Sequence, residues 1–329
     1  MYLPKGLMLV GASLLLLASC NPSPSDNPSA PPGAAEEPLT DGKTLRKLEL
    51  FKSHSHDLLK ALEVCNQALS ALSLKFLEQV DEDNLQRVRD QQHNCWQIYQ
   101  AARALRGFND DQQKDLDRFH SNLGSKLQHP GFIDGVTEYP SSGIVNDVSL
   151  PLNQQSLRQQ HGLTHESDVA IGFDVVAFLL WGEHHYDKES PARQADQFRE
   201  QKRWQDGRTD LAISQHPQNR RRKLLQLTLD MAQRDIQQLQ KQWASAEVPI
   251  ANQAAQAWQI KQLKSLKVSL AQQPDNEHLL NHLWLWYQKG ALPGISQPQP
   301  DQTIQSLDQL LALLETALES GSHPEKTGL

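Results

Sequence analysis

Residues 57–103 read DLLKALEVCNQALSALSLKFLEQVDEDNLQRVRDQQHNCWQIYQAAR, and their periodicity decides the fold class. Leu58, Leu62, Cys65, Leu69, Leu72 and Phe76 recur at steps of four and three, and so do Leu85, Val88, Gln92, Cys95, Tyr99 and Ala102. Such steps place each set on one face of an α-helix, where it needs an apolar partner. Between the two stripes Val80-Asp81-Glu82-Asp83 is a polar break that offers N-cap residues. The stretch therefore predicts an antiparallel helical hairpin. Cys65 and Cys95 lie equidistant from Val80, so a turn there brings the two side chains face to face.

Outward from the hairpin the pattern stays helical. A third stripe runs through Leu116, Phe119, Leu123 and Leu127 and is expected to end at Pro130-Gly131. Residues 130–153 carry Gly, Pro, Asn and Ser punctuation and read as an ordered loop. Further helices are expected over 168–182, 219–246, 250–272, 275–289 and 302–319, with hardly a strand signal. The fold class is all-α, two packed helical bundles, divided as an N-terminal bundle with its loop over 44–160 and a C-terminal bundle over 161–325.

The N-terminus has a different character. Lys5 precedes a short apolar stretch from Leu7 to Leu17, then Ala18-Ser19-Cys20. Charge, apolar core and small residues in that order describe a signal peptide over 1–19, and the apolar part is too short for a permanent span. Leu17-Ala18-Ser19-Cys20 resembles the bacterial lipobox, with Cys20 the acylated first residue of the mature chain. Asn21 after that cysteine resembles lipoproteins sorted to the outer membrane. Residues 20–43, rich in Pro, Ser and small side chains, bury too little apolar surface to order and read as a flexible tether. The expected setting is the cell envelope, with the body facing the periplasm and Cys20 as the membrane attachment. Cys65 and Cys95 would then stand in an oxidising compartment, where a disulfide between them is expected.

The net charge of −7 and mean hydropathy of −0.59 suit a soluble body and argue against a nucleic-acid partner, which would want a basic surface. Arg220-Arg221-Arg222-Lys223 is the exception, and reads as the solvated face of a long polar helix. His54-x-His56 puts two imidazoles on different sides of a helix. His278 and His282 share a face, but Trp284, Leu285 and Trp286 beside them suggest packing.

The most specific signals lie between Pro130 and Gly182. Pro130-Gly131-Phe132, Tyr139-Pro140, Ser142-Gly143-Ile144-Val145-Asn146-Asp147, Leu150-Pro151-Leu152, His161-Gly162 and Gly172-Phe173 leading to Phe178-Leu179-Leu180-Trp181-Gly182 occur in that order. Together they resemble the imelysin family of bacterial envelope proteins. The resemblance implies two helical bundles side by side, and a Gly-x-His-x-x-Glu signature on a buried helix. Many members of that family are associated with iron uptake, and the family is often labelled a metallopeptidase family. The sequence departs from the signature: Gly172 is kept, Asp174 stands where His is expected, and Ala177 where Glu is expected.

His and Glu three apart on a helix can converge on one metal ion; an aspartate beside a methyl group is a much poorer set. On so apolar a helix Asp174 needs a cation, hydrogen-bond donors or a metal, and the nearby candidates are Arg158, His161, His165, His184 and His185. The candidate ligand pocket comprises Asp174, Gly172, Tyr139, Asn146, His161 and Trp181. A residual iron or zinc site would use Asp174, His184 and His185. No catalytic residue is assigned. The leading expectation is a non-catalytic binding or accessory lipoprotein, linked through its family to iron uptake, with a metal, a small ligand or an envelope protein as partner. The alternatives are a metallopeptidase with non-standard ligands and a structural adaptor for a protein partner.

Overall fold

The structure is a computed structural model that describes residues 39–204, 210–276, 278 and 279, with positions 308, 309, 311, 312, 315, 316 and 319 beyond them. The expected signal peptide, Cys20, most of the tether, His282 and most of the segments 275–289 and 302–319 lie outside the described residues. The first helix, α1 (Gly42–Glu78), opens on Asp41, whose carboxylate accepts from the backbone N–H groups of Lys43 and Thr44. Just before it, Leu39 and Ala251 form an isolated antiparallel bridge.

The polar break stops α1, and Asp81 caps α2 (Glu82–Arg103) by accepting from the Asn84 N–H at 2.7 Å. The two acidic residues that follow, Glu82 and Asp83, suit the positive end of the helix dipole. The hairpin packs through its stripes: Leu62, Leu69 and Phe76 face Leu85, Val88 and Cys95, all buried. A disulfide joins Cys65 to Cys95 across it, with Cα atoms 5.5 Å apart.

The third helix, α3 (Asp110–Gly124), is capped by Asn109 and buries Leu116, Phe119 and Leu123. It ends at Gly124, earlier than the Pro130 stop expected from its stripe, because Ser125 already has an extended backbone. Leu127 is still buried, so the apolar stripe continues where the helix does not. After the 130–153 loop come α4 (Gln154–Gln160) and α5 (Phe173–Trp181). The latter starts at Phe173 instead of residue 168. Gly172, at φ +105°, cannot continue a helix, and the Asp168 carboxylate ties the preceding turn to the N–H groups of Thr164 and His165. Eight of the nine α5 residues are buried.

The long α6 (Pro217–Ala244) packs on α1, α3 and α5, and α7 (Asn252–Gln272) adds Trp258, whose ring meets Phe51 and Phe108. One apolar cluster runs from Leu48 to Trp258. The fold is all-α, with no strand among the described residues. No helix among them is long and apolar enough to cross a membrane.

The basic cluster at the start of α6 corrects its sequence reading. Arg220 and Arg221 are buried, and only Lys223 is exposed. Arg220 donates to the carbonyls of Ile144, Val145, Asp147 and Leu150. Arg221 forms a two-point pair with buried Asp134, and Arg222 donates to the carbonyls of Leu77 and Phe198. The 130–153 loop exposes many backbone carbonyls that no helix or sheet satisfies, and a guanidinium with five donors meets several at once. A charge run reads as solvated until the loop it serves is in place.

Candidate functional site

The α5 helix carries Asp174 in its first turn, aimed toward the end of α3. Gly172 makes that approach possible, because a Cβ there would sit 2.8 Å from the Leu123 carbonyl oxygen. Where α3 stops, the Leu127 N–H is left without a helical acceptor, and the Asp174 carboxylate takes it at 2.6 Å. The helix ends at Gly182, with φ +63°, and the short turn Gly182–His185 swings back over its side. That turn brings His185 Nε2 to 2.7 Å from the other carboxylate oxygen, and the Tyr186 hydroxyl donates to Asp174 at 3.1 Å. Burial, reinforced by the Asp174 charge and hydrogen bond, holds the Tyr186 phenol well above the usual tyrosine range, so it acts as a neutral donor.

Two cavities flank this cluster and share Trp96, Asp174 and His185. The larger, about 810 Å³, lies over α2 and α5 and is lined further by Gln92, Ala177 and Trp181. The smaller, about 580 Å³, is lined by Arg103, His120, Lys126 and Tyr186. Both volumes lie in the range of small-molecule sites.

The other residues singled out in the sequence divide between cavity and scaffold. Trp181 lines the larger cavity, under the Arg89 guanidinium at 4.3 Å. His184 turns away from Asp174: its Nδ1 meets the Ser190 carbonyl at 2.8 Å and its ring stacks on Trp181. Tyr139 is 66% exposed, Asn146 donates within its own loop to the Ser142 carbonyl, and His161 bridges the Ser121 carbonyl and the Ala170 N–H. None of these three lines either cavity. Arg158 pairs with Asp235 and His165 with Ser167, so of the five candidate partners only His185 touches Asp174. Glu183, next to the histidines, holds the Thr137 N–H and hydroxyl instead.

The sequence reading gives Gln92, Tyr186 and the Leu127 N–H no part in the site, although Tyr186 directly follows the histidine pair that it singles out. Gln92 carried a signal, being the one amide on the inward stripe of α2. The N–H of Leu127 carried none, since its availability depends on where α3 ends.

The donor set does not suit a transition metal. Asp174 is one carboxylate with both oxygens engaged, the near nitrogen of His185 is spent on it, Ala177 offers a methyl group, and His184 points elsewhere. No group of three His, Cys, Asp or Glu side chains among the described residues is placed to hold a metal ion. The molecule thus belongs to the class of all-α proteins with a hydrogen-bonded carboxylate at the edge of a surface cleft.

The family can be named more closely. The Peptidase_M75 (Imelysin) family model matches residues 57–284, more than half of the chain, and the protein belongs to the imelysin family. No curated protein matches the sequence.

Proposed function

We propose that this chain is a non-catalytic, ligand-binding member of the imelysin family, in which a cleft for an organic ligand stands where relatives carry the Gly-x-His-x-x-Glu signature. One observation carries the reading. The carboxylate at the signature position is saturated by Leu127, His185 and Tyr186, in hydrogen-bonding geometry, at the edge of an 810 Å³ cavity. Metal-assisted hydrolysis needs an open coordination position and a group to activate water; here each donor is already committed.

The same proposal places the protein in the envelope, acylated at Cys20 and attached to the outer membrane by a tether that ends before Leu39, where the chain already pairs with Ala251, with an accessory role in uptake, iron acquisition included, that works through binding. The test is to purify the mature protein from membranes and measure its metal content and its hydrolysis of unstructured peptides. Substoichiometric zinc and iron, no hydrolysis, and release of the Cys20→Ser variant from the membrane are expected. One ion per chain that disappears in Asp174→Asn, together with peptide cleavage, would overturn the reading in favour of a metallopeptidase with unusual ligands.

A further inference from the structure

We propose that the larger cavity binds a neutral saccharide; this rests on the reading of the cleft as an organic-ligand site. The first observation is Gln92. It is 6% exposed, lines the cavity, and its side-chain amide has no hydrogen bond to any described residue. Its amide atoms open onto the cavity and are not sealed in the core, so the hydrogen bonds that the fold does not give this glutamine go to water or a ligand there. The second observation is the pair of indoles. Trp96 and Trp181 both line the cavity, and neither indole N–H meets an acceptor among the described residues. Partly buried tryptophans usually find one.

The chemistry of the lining then selects the ligand class. The charged lining of the cavity carries both signs, Arg89 and Lys188 against Asp90, Asp174 and Asp275. An anionic or a cationic ligand would meet like charge as well as counter-charge there. Amides are abundant around the opening: Gln92 and Gln272 have no hydrogen-bond partner among the described residues, Gln97 meets His93, and Gln273 and Asn276 bond to each other. An amide both donates and accepts, as a hydroxyl does, and the Trp96 ring offers apolar surface to the C–H face of a sugar ring, the Trp181 ring being covered already by Arg89 and His184. Peptide side chains would need apolar subpockets, yet besides the two indoles the apolar lining is only Phe173, Ala177 and Pro274. A cavity of about 810 Å³ has room for an oligosaccharide of a few units.

The test is calorimetric titration of the full mature protein with maltotriose and, separately, N,N′-diacetylchitobiose, which distinguishes a plain glucan from an acetamido sugar. Saturable one-to-one binding of at least one is expected, weakened about tenfold in Gln92→Leu, the loss of one buried hydrogen bond. Gln92 has no hydrogen bond within the described structure to lose, so this variant should melt at or above the wild-type temperature, and Gln272→Ala at the rim gives a second reading with little risk to the fold. Absence of binding by both saccharides overturns the proposal. So does binding that is unchanged in both variants, or binding of trialanine in preference to either sugar. These outcomes are separable from the metal and hydrolysis measurements: a metal-free, inactive protein that ignores sugars fails only here.

Discussion

Asp174 is held by three contacts of different origin: a backbone amide released where α3 ends, a histidine and a tyrosine from the turn after α5. Each group was desolvated to make the contact, so removing the carboxylate leaves the Leu127 N–H and the Tyr186 hydroxyl without an acceptor. Asp174→Ala should therefore cost about 2–4 kcal/mol by urea denaturation, more than a typical exposed substitution, while Asp174→Asn, which keeps one acceptor oxygen, should cost roughly half as much. Equal losses in the two variants would show that charge, and not hydrogen bonding, is what the position supplies. The residue's need for partners was legible from an acid on an all-round apolar helix. Which partners answer it was not, since five candidates lay close in sequence and only His185 reaches the carboxylate.

At the level of elements, the 130–153 loop and α6 are joined by arginines rather than by apolar packing alone. Asp134 is 1% exposed, with Arg193 at 3.0 Å and Arg221 at 2.5 Å. Burial alone would push its carboxyl up, but the two guanidiniums outweigh burial and hold it below the usual carboxylate range. Asp134→Ala strands two buried cations and should destabilise by about 3–5 kcal/mol, read as a shift in the urea midpoint. A loss under about 1 kcal/mol would mean that the arginines find carbonyl partners enough by themselves. The hairpin elements were readable because their stripes are local. The start of α5 was not, because Gly172 and the Asp168 turn interrupt an apolar run that continues unbroken in the sequence.

For the whole molecule the pH dependence of stability has an identifiable source in His120. Its ring packs edge-on to Tyr99 and Phe119, and its Nε2 is buried without a partner. Burial, with Arg103 and Arg106 adding positive charge, pulls its pKa from 6.5 down to about 3. Above pH 6.5 both folded and unfolded forms are neutral and the group contributes no slope. Between 6.5 and about 3 the unfolded chain holds the proton and the folded one does not, so stability falls as pH falls, by up to about 1.4 kcal/mol per pH unit. His161, also depressed chiefly by burial, acts in the same direction. The urea midpoint should drop across this window, and His120→Gln should flatten the drop. An unchanged slope in that variant would place the acid sensitivity elsewhere.

The sequence by itself determined the helical class, the hairpin over 57–103 and membership of the imelysin family, because helix periodicity, capping and ordered motifs are written in neighbouring residues. It also showed that the signature helix lacks the imidazole and carboxylate its relatives use. Only the tertiary structure decided that Asp174 caps a backbone amide 47 residues away, that Arg221 neutralises Asp134 across 87 residues, and that Gln92 opens into a cavity. The physical reason is the same in each case: a polar group's environment is set by chain segments that meet only on folding, and a one-dimensional pattern does not specify which loop ends beside which helix.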